Sequence, residues 1–538
     1  MKKSFIQSLL VLVFFPCFMY TQTPVLVKNI HPTGGAEPEE LTDWNGVLLF
    51  RANDLAHGYE LWRSDGSTEG TQMVLDINPD GSSDPSWLTP AGPGLFFMAN
   101  DGNAGNEIWI TDGTDEGTYL VSDIHPEGSS DPEYLIWMGG MLYFAANDGQ
   151  NGIELWTSDG TLSGTGMVLD ILPGGGSAPR FLTEYNGMLY FSAEDVSHGR
   201  ELWRSDGTSE GTQMVADINP AGSSEPQQLT VSGDFLYFQA KTAPGAGIEL
   251  WKSDGTAEGT QLVKDINPNG NSDPQELTDV EGTLFFNATD GVSGVELWKS
   301  DGTETGTVMV RNINEAIGSN PEHLTAFNGT LFFSATDGLT GHELWKSDGT
   351  EAGTVLVKDI NPQGSSNSAP NYLTGFNDRL FFQSTDGPHG KELWMTDGTT
   401  QGTLMVADIN PVGSCDPSFL TVSNDILFFQ ANDGVTGHEL WKLDVFTGVF
   451  SFADNEPLTL YPNPVSDKLV AKNKTYFGEI MQVKIFDAMG RMVLAKEIIP
   501  TGGEFWAEFD VAGFPSGVYS FVLVNEKGAV TGKKFIKH

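Results

Sequence analysis

Two loops carry oxygen-bearing side chains at the spacing of a calcium site. Asp265, Asn267 and Asn269 alternate along the chain, Gly270 follows, and Asp273 and Glu276 complete the pattern D-x-[DN]-x-[DN]-G-x5-E. Asp76, Asn78, Asp80, Gly81 and Asp84 match its first nine positions, with Trp87 where the Glu belongs. Alternate oxygen ligands on a loop bent by glycine can surround a hard cation, so calcium is the one cofactor these residues suggest. Other copies of the loop are poorer. Ala221, Gln363 or Val412 stands at the fifth position, and Asp170-Ile-Leu-Pro-Gly lacks most of the ligands. The same residue types also make a compact turn, with Asp and Asn side chains capping their own backbone. Both readings stand at this level.

Nothing in the chain announces catalysis. There is no G-x-S-x-G, H-E-x-x-H or C-x-x-C, and no glycine-rich phosphate loop ahead of a helix. His57, His198, His342, His389 and His438 each lie next to a glycine before a recurrent Glu-Leu-Trp, which reads as a solvent-facing turn rather than a metal set. We therefore expect no catalytic residues and no enzyme.

The elements that position these loops recur. A Trp stands at 62, 109, 156, 203, 251, 298, 345, 394 and 441, spaced by 47 to 49 residues, each with a Glu two residues before and a Gly four before. In the unit that begins at Glu343, ELWKS alternates apolar and polar, and SDGTEAGT is a turn whose Asp-Gly supplies positive φ. VLVKDI is strand-like, NPQGSSNSAP is loop chemistry, and YLTGFNDRLFFQS reads as two short strands joined at Asn377-Asp378. This predicts a four-stranded antiparallel meander per unit, with no helical period in the repeats.

The LFF-type strands are apolar on consecutive positions, so both of their faces need cover. Sheets stacked around an axis provide it. The sequence thus predicts an all-β chain with a β-propeller of about nine four-stranded blades. Val25–Ile30 would complete the last blade, with Val449–Asp454 as the alternative closing strand. The recurrent Trp is expected to pack between neighbouring sheets, and the recurrent Glu to bond backbone or a turn Ser or Thr.

The chain has 538 residues, 72 Asp and Glu against 28 Lys and Arg, and a net charge of −44. Ten acids and ten bases fall between Asp454 and His538, so that end is neutral and the excess negative charge lies in the repeats. Such a surface excludes nucleic acid as a partner and attracts cations. MKKSFIQSLLVLVFFPCFMYTQT has two lysines and a short apolar run, the form of a signal peptide, ending near Gln22. Its removal leaves Cys415 as the one cysteine, and no other apolar stretch is long enough to cross a bilayer.

The nine G-x-E-[LI]-W copies, most followed by S/T-D-G-T, resemble the ELWxxDGT repeat family of bacterial surface proteins over roughly residues 24–445. Ser67 replaces the Thr in the first copy, and the last reads ELWKLDVFTG. That resemblance implies a repeat architecture and no known reaction. LTLYPNPVSDKLV (458–470), VKIFDAMGRMVL (483–494), FPSGVYSFVLV (514–524) and KKFIK (533–537) resemble the C-terminal sorting domain of the type IX secretion system of Bacteroidetes. The residues themselves read as a small β-sandwich. The resemblance implies export, recognition of this domain by the secretion machinery, and a product that is secreted or attached to the outer surface.

The expected organisation is a signal peptide at 1–22, repeats at 23–448, a linker at 449–457 and a sorting domain at 458–538. The expected function is non-catalytic binding of an extracellular glycan or protein. An extracellular polysaccharide hydrolase or lyase on the same scaffold is the alternative, and a structural coat protein the third reading.

Overall fold

The computed structural model describes residues 23–242, 247–363, 366–444, 458–473, 481–486, 492–498, 505–525 and 530–538. The expected signal peptide, the linker at 449–457 and the alternative strand Val449–Asp454 lie outside the described residues. The chain divides into two compact units, Met1–Leu443 and Asp444–His538.

In the first unit each of the first eight repeats builds one four-stranded antiparallel sheet, its strands paired in chain order. The first sheet is Glu39–Trp44, Val47–Asn53, Tyr59–Ser64 and Gln72–Leu75. The Glu-Leu-Trp segment is therefore the third strand, and the VxDI segment the fourth. Phe50 stands opposite Trp62 and Leu48 opposite Ser64 across the two middle strands. Leu48, Leu49 and Phe50 are all fully buried, as the consecutive apolar pattern requires when a sheet is covered on both faces.

The ninth sheet is built differently. Ser418–Ser423, Ile426–Asn432 and His438–Asp444 are joined by Val25–Lys28 from the chain's other end, with Val25 opposite Lys442 and Leu26 opposite Trp441.

Neighbouring sheets share their cores. Trp109 of the second sheet packs with Leu61, Val74 and Ile77 of the first. Trp62 of the first packs with Val27, Ile30 and Leu440 of the ninth. The first strands of successive sheets contact one another, and that of the ninth sheet contacts that of the first. Across this last junction the Thr421 hydroxyl donates to the Leu41 carbonyl at 3.1 Å, and the Gln430 amide to the Pro38 carbonyl at 3.1 Å. Among the described residues the one helical turn is the short 3-10 segment Leu162–Gly164, and no helix is long and apolar enough to cross a membrane.

The second unit has two sheets. One holds Leu458–Tyr461, Lys468–Asn473 and Phe505–Asp510; the other holds Met492–Ile498, Met481–Phe486, Gly517–Asn525 and Val530–Lys537 in that spatial order. Leu460, Leu469 and Phe509 of the first sheet share a core with Ile485, Phe521 and Phe535 of the second.

Candidate functional site

The residues that recur identically are occupied in holding the fold. Glu60 is fully buried beside Trp62. Its carboxylate accepts from the Ile77 N–H at 3.0 Å, the Ser83 N–H at 2.9 Å and the Ser83 hydroxyl at 2.6 Å, all on the connector to the second sheet. The equivalent carboxylates repeat this, down to Glu439, which reaches the Ile30 and His31 N–H groups. Burial pushes all nine carboxyls up, those of Glu201, Glu343 and Glu439 to about 7. In the eighth sheet Cys415 stands where most connectors carry Ser; it is buried, and its N–H donates to Glu392 at 3.0 Å.

The Asp-Gly-Thr turn is closed by side chains. Asp112 Oδ1 accepts from the Thr114 N–H at 2.9 Å and the Thr114 hydroxyl at 2.6 Å, and the Gly117 N–H donates to Thr114 Oγ1 at 3.1 Å. Gly117 is glycine because a Cβ there would overlap the Asp112 carboxylate. In the turns before the third strands, the hydrogen bonds of His57, His198 and His389 with Asp54, Asp195 and Asp386, at 2.7–2.8 Å, raise each imidazole above its ordinary pKa.

The position that varies is in the first strand. The register shifts between Glu39 and Thr42, so two residues on this strand face one on its partner, a β-bulge that recurs in all nine sheets. Its second residue takes a left-handed φ of 53° to 59° every time, without being glycine. An L-residue there costs roughly 1–2 kcal/mol. In eight of the nine sheets the Thr two residues on donates its hydroxyl to that residue's carbonyl, as Thr89 does to Trp87 at 2.8 Å.

In sheet order this residue is Glu40, Trp87, Tyr134, Phe181, Gln228, Glu276, His323, Tyr372 and Phe419. Every one is partly exposed, Trp87 and Tyr372 to 37%. Trp87 and Tyr134 have ring centroids 5.3 Å apart, Tyr134 and Phe181 6.0 Å, and Tyr372 and Phe419 6.0 Å. The bulge thus presents half-exposed Phe, Tyr or Trp rings in five of the nine sheets, and Glu40 stands between Phe419 and Trp87 in the order of sheets. Sequence reasoning missed these residues. The signal was present as the second of the two variable positions in the repeated P-x-x-L-T, aromatic in five copies of nine.

A polar cleft of about 350 Å³ adjoins this row at the seam of the seventh and eighth sheets. Glu322, His323, His342, Gln383 and Lys391 are among its lining. Asn320 also lines the cleft, and 243–246 lie outside the described residues.

The calcium-loop residues are placed as follows. Asn78 donates its amide to the Ser82 carbonyl at 2.8 Å, and Asn267 to the Asn271 carbonyl at 2.7 Å, turns closed by their own side chains. Asn267 Oδ1 accepts from the Asn269 N–H at 3.4 Å. Asp80, Asp84, Asp265, Asn269 and Asp273 are exposed, and Asp84 and Asp273 have left-handed φ. Glu276 lies on the bulge and turns to the next sheet, where its Oε2 accepts from the Leu324 N–H at 3.3 Å. Asp76 Oδ1 is buried with no hydrogen-bond partner. Among the described residues no three His, Cys, Asp or Glu side chains gather as metal ligands.

Residues 459–538 match the family model described as secretion system C-terminal sorting domain. The molecule is thus an all-β repeat protein that ends in a type IX sorting domain, which marks it for export to the outer surface or the medium. No curated protein matches the chain. Among solved structures it is similar to prolyl oligopeptidase B from Galerina marginata, at 12% identity and a TM-score of 0.36, over 67% of this chain and 55% of that one. The chain thus spans about half the length of that peptidase. An uncharacterized protein from Listeria monocytogenes EGD-e is similar at 11% identity and a TM-score of 0.34, over 71% of this chain and 97% of that one. A DUF3244 family protein with an immunoglobulin-like β-sandwich from Bacteroides vulgatus is 24% identical over 16% of this chain and 89% of its own, with a TM-score of 0.14. No activity follows from likenesses at this level.

Proposed function

We propose that the nine sheets close into a nine-bladed propeller that binds saccharide outside the cell and carries out no chemistry of its own. Closure is supported by Val25–Lys28 completing the ninth sheet and by the bonds from Thr421 and Gln430 to the first. The observation that carries the binding reading is the row Trp87, Tyr134 and Phe181, held half-exposed by a strained backbone. Flat rings that keep a face toward water suit the apolar faces of sugar rings, while an amphipathic rim leaves the hydroxyl groups hydrated. Strain kept at nine equivalent positions aims these side chains where a regular strand would not. The buried Glu carboxylates are satisfied by backbone and Ser donors, so they have no free role in acid–base chemistry. Export, indicated by the sorting domain, supports a ligand met outside the cell.

The test is a polysaccharide array probed with the purified protein, scored both for retention and for released sugar. Retention without release is the expected result, and the Trp87→Ala, Tyr134→Ala variant is expected to lose it. Release of sugar would favour a hydrolase or lyase. Equal retention by the variant would remove the aromatic row from the function.

A further inference from the structure

The aromatic row has a carboxylate set into it. In the order of sheets, Tyr372 and Phe419 lead to Glu40, and Glu40 leads to Trp87, Tyr134 and Phe181. Glu40 accepts from the Trp87 N–H at 3.1 Å, so its carboxylate lies against the strand that carries the row's largest ring. The neighbouring acids have partners that Glu40 does not share: Glu39 pairs with Arg51 at 2.7 Å, and Glu37 contacts His438 at 3.1 Å. Among the described residues no Lys, Arg or His pairs with Glu40.

Resting on the saccharide-binding reading, we infer that the ligand is a saccharide carrying free amino groups. An ammonium beside Glu40 meets a carboxylate, with aromatic rings at the neighbouring positions of the row. Both attract a cation and neither attracts a neutral hydroxyl as strongly. The field of the whole molecule has the same sign. A chain with a net charge of −44 draws cationic polymers toward it and repels uronate-rich or sulfated ones. The opposite side of the row, Gln228, Glu276 and His323, has no Phe, Tyr or Trp, so the broad stacking surface is one-sided and Glu40 lies near its middle.

The experiment compares three oligosaccharides of equal length on the full chain by calorimetry: a glucosamine oligomer, its N-acetylated form and a neutral glucan. The amine is expected to bind about ten-fold more tightly than the acetylated form at low salt, with the advantage shrinking as salt rises. Glu40→Gln is expected to bring the two within about two-fold by weakening the amine. Glu69→Gln, an exposed acid on a distant turn, is expected to leave the preference intact. The inference is overturned if the acetylated form binds as well as the amine. It is equally overturned if Glu40→Gln keeps the preference, or if oligolysine of equal charge binds as tightly. Absence of binding to all three oligomers would instead remove the saccharide reading itself.

Discussion

Truncating Val27 and Ile30 to alanine should loosen both ends of the repeat array at once. The two side chains are 3% and 5% exposed and share a cluster with Leu48, Phe50 and Trp62 of the first sheet and Phe428 and Leu440 of the ninth. Truncating Ile30 costs about 2–5 kcal/mol and Val27 about half as much, so the double variant should lose about 3–7 kcal/mol. That is a large part of a stability of about 5–15 kcal/mol. The other three strands of the ninth sheet begin about 390 residues away in sequence, yet the sheet depends on this strand for its outer edge. Ile30 also donates its N–H to buried Glu439 at 2.9 Å. Amide hydrogen exchange should therefore show protection falling in 438–444 as well as in 47–53. The reasoning fails if protection falls only within 39–75, as a frayed end of an open array would give, or if the denaturation midpoint barely moves.

Three further outcomes follow from the same geometry. The carboxyls of Glu201, Glu343 and Glu439 are raised from 4.5 to about 7, so in that interval the folded chain holds protons that the unfolded chain has released. Stability should then decline as pH rises from about 4.5 to 7, by about 3 kcal/mol for each such carboxyl, and level off above; urea midpoints across this range test it, and Glu201→Gln should remove one share of the slope. Gly117→Ala sets a Cβ on the Asp112 carboxylate and should destabilise by about 1–3 kcal/mol, whereas Gly113→Ser, with open space around it, should be limited to the strain of its positive φ; thermal melts compare the two. Saturating calcium should raise the melting midpoint by less than about 1 °C, because Asn78, Asn267 and Glu276 are already engaged by backbone groups; a larger rise would reinstate the loop of Asp76 as a cation site.

Much of the architecture was legible because a repeat is its own control. The fixed spacing of Trp, the Asp-Gly turns and the consecutive apolar Leu-Phe-Phe identify strands, hairpins and two covered faces, and these depend only on neighbours in the chain. The neutral tail with its four ordered motifs likewise marked the sorting domain. The aromatic row escaped because its strand carries a bulge, and alternation cannot say which way a residue points once the register shifts. The calcium pattern was visible for the opposite reason. Spacing along a loop lists possible ligands, but whether an Asn oxygen faces a cation or its amide closes a turn is a matter of torsion angles.

By itself the sequence determined nine strand-turn-strand units, the surplus of negative charge, and the identity of the recurrent Trp and Glu. Only the tertiary structure decided that Glu60 bonds the connector, that Val25–Lys28 belongs to the ninth sheet, and that Glu40, Trp87, Tyr134 and Phe181 occupy one register position on adjoining strands. The first group rests on local backbone preference and polarity; the second rests on contacts between residues 17 to more than 400 positions apart, which exist only once the sheets have stacked.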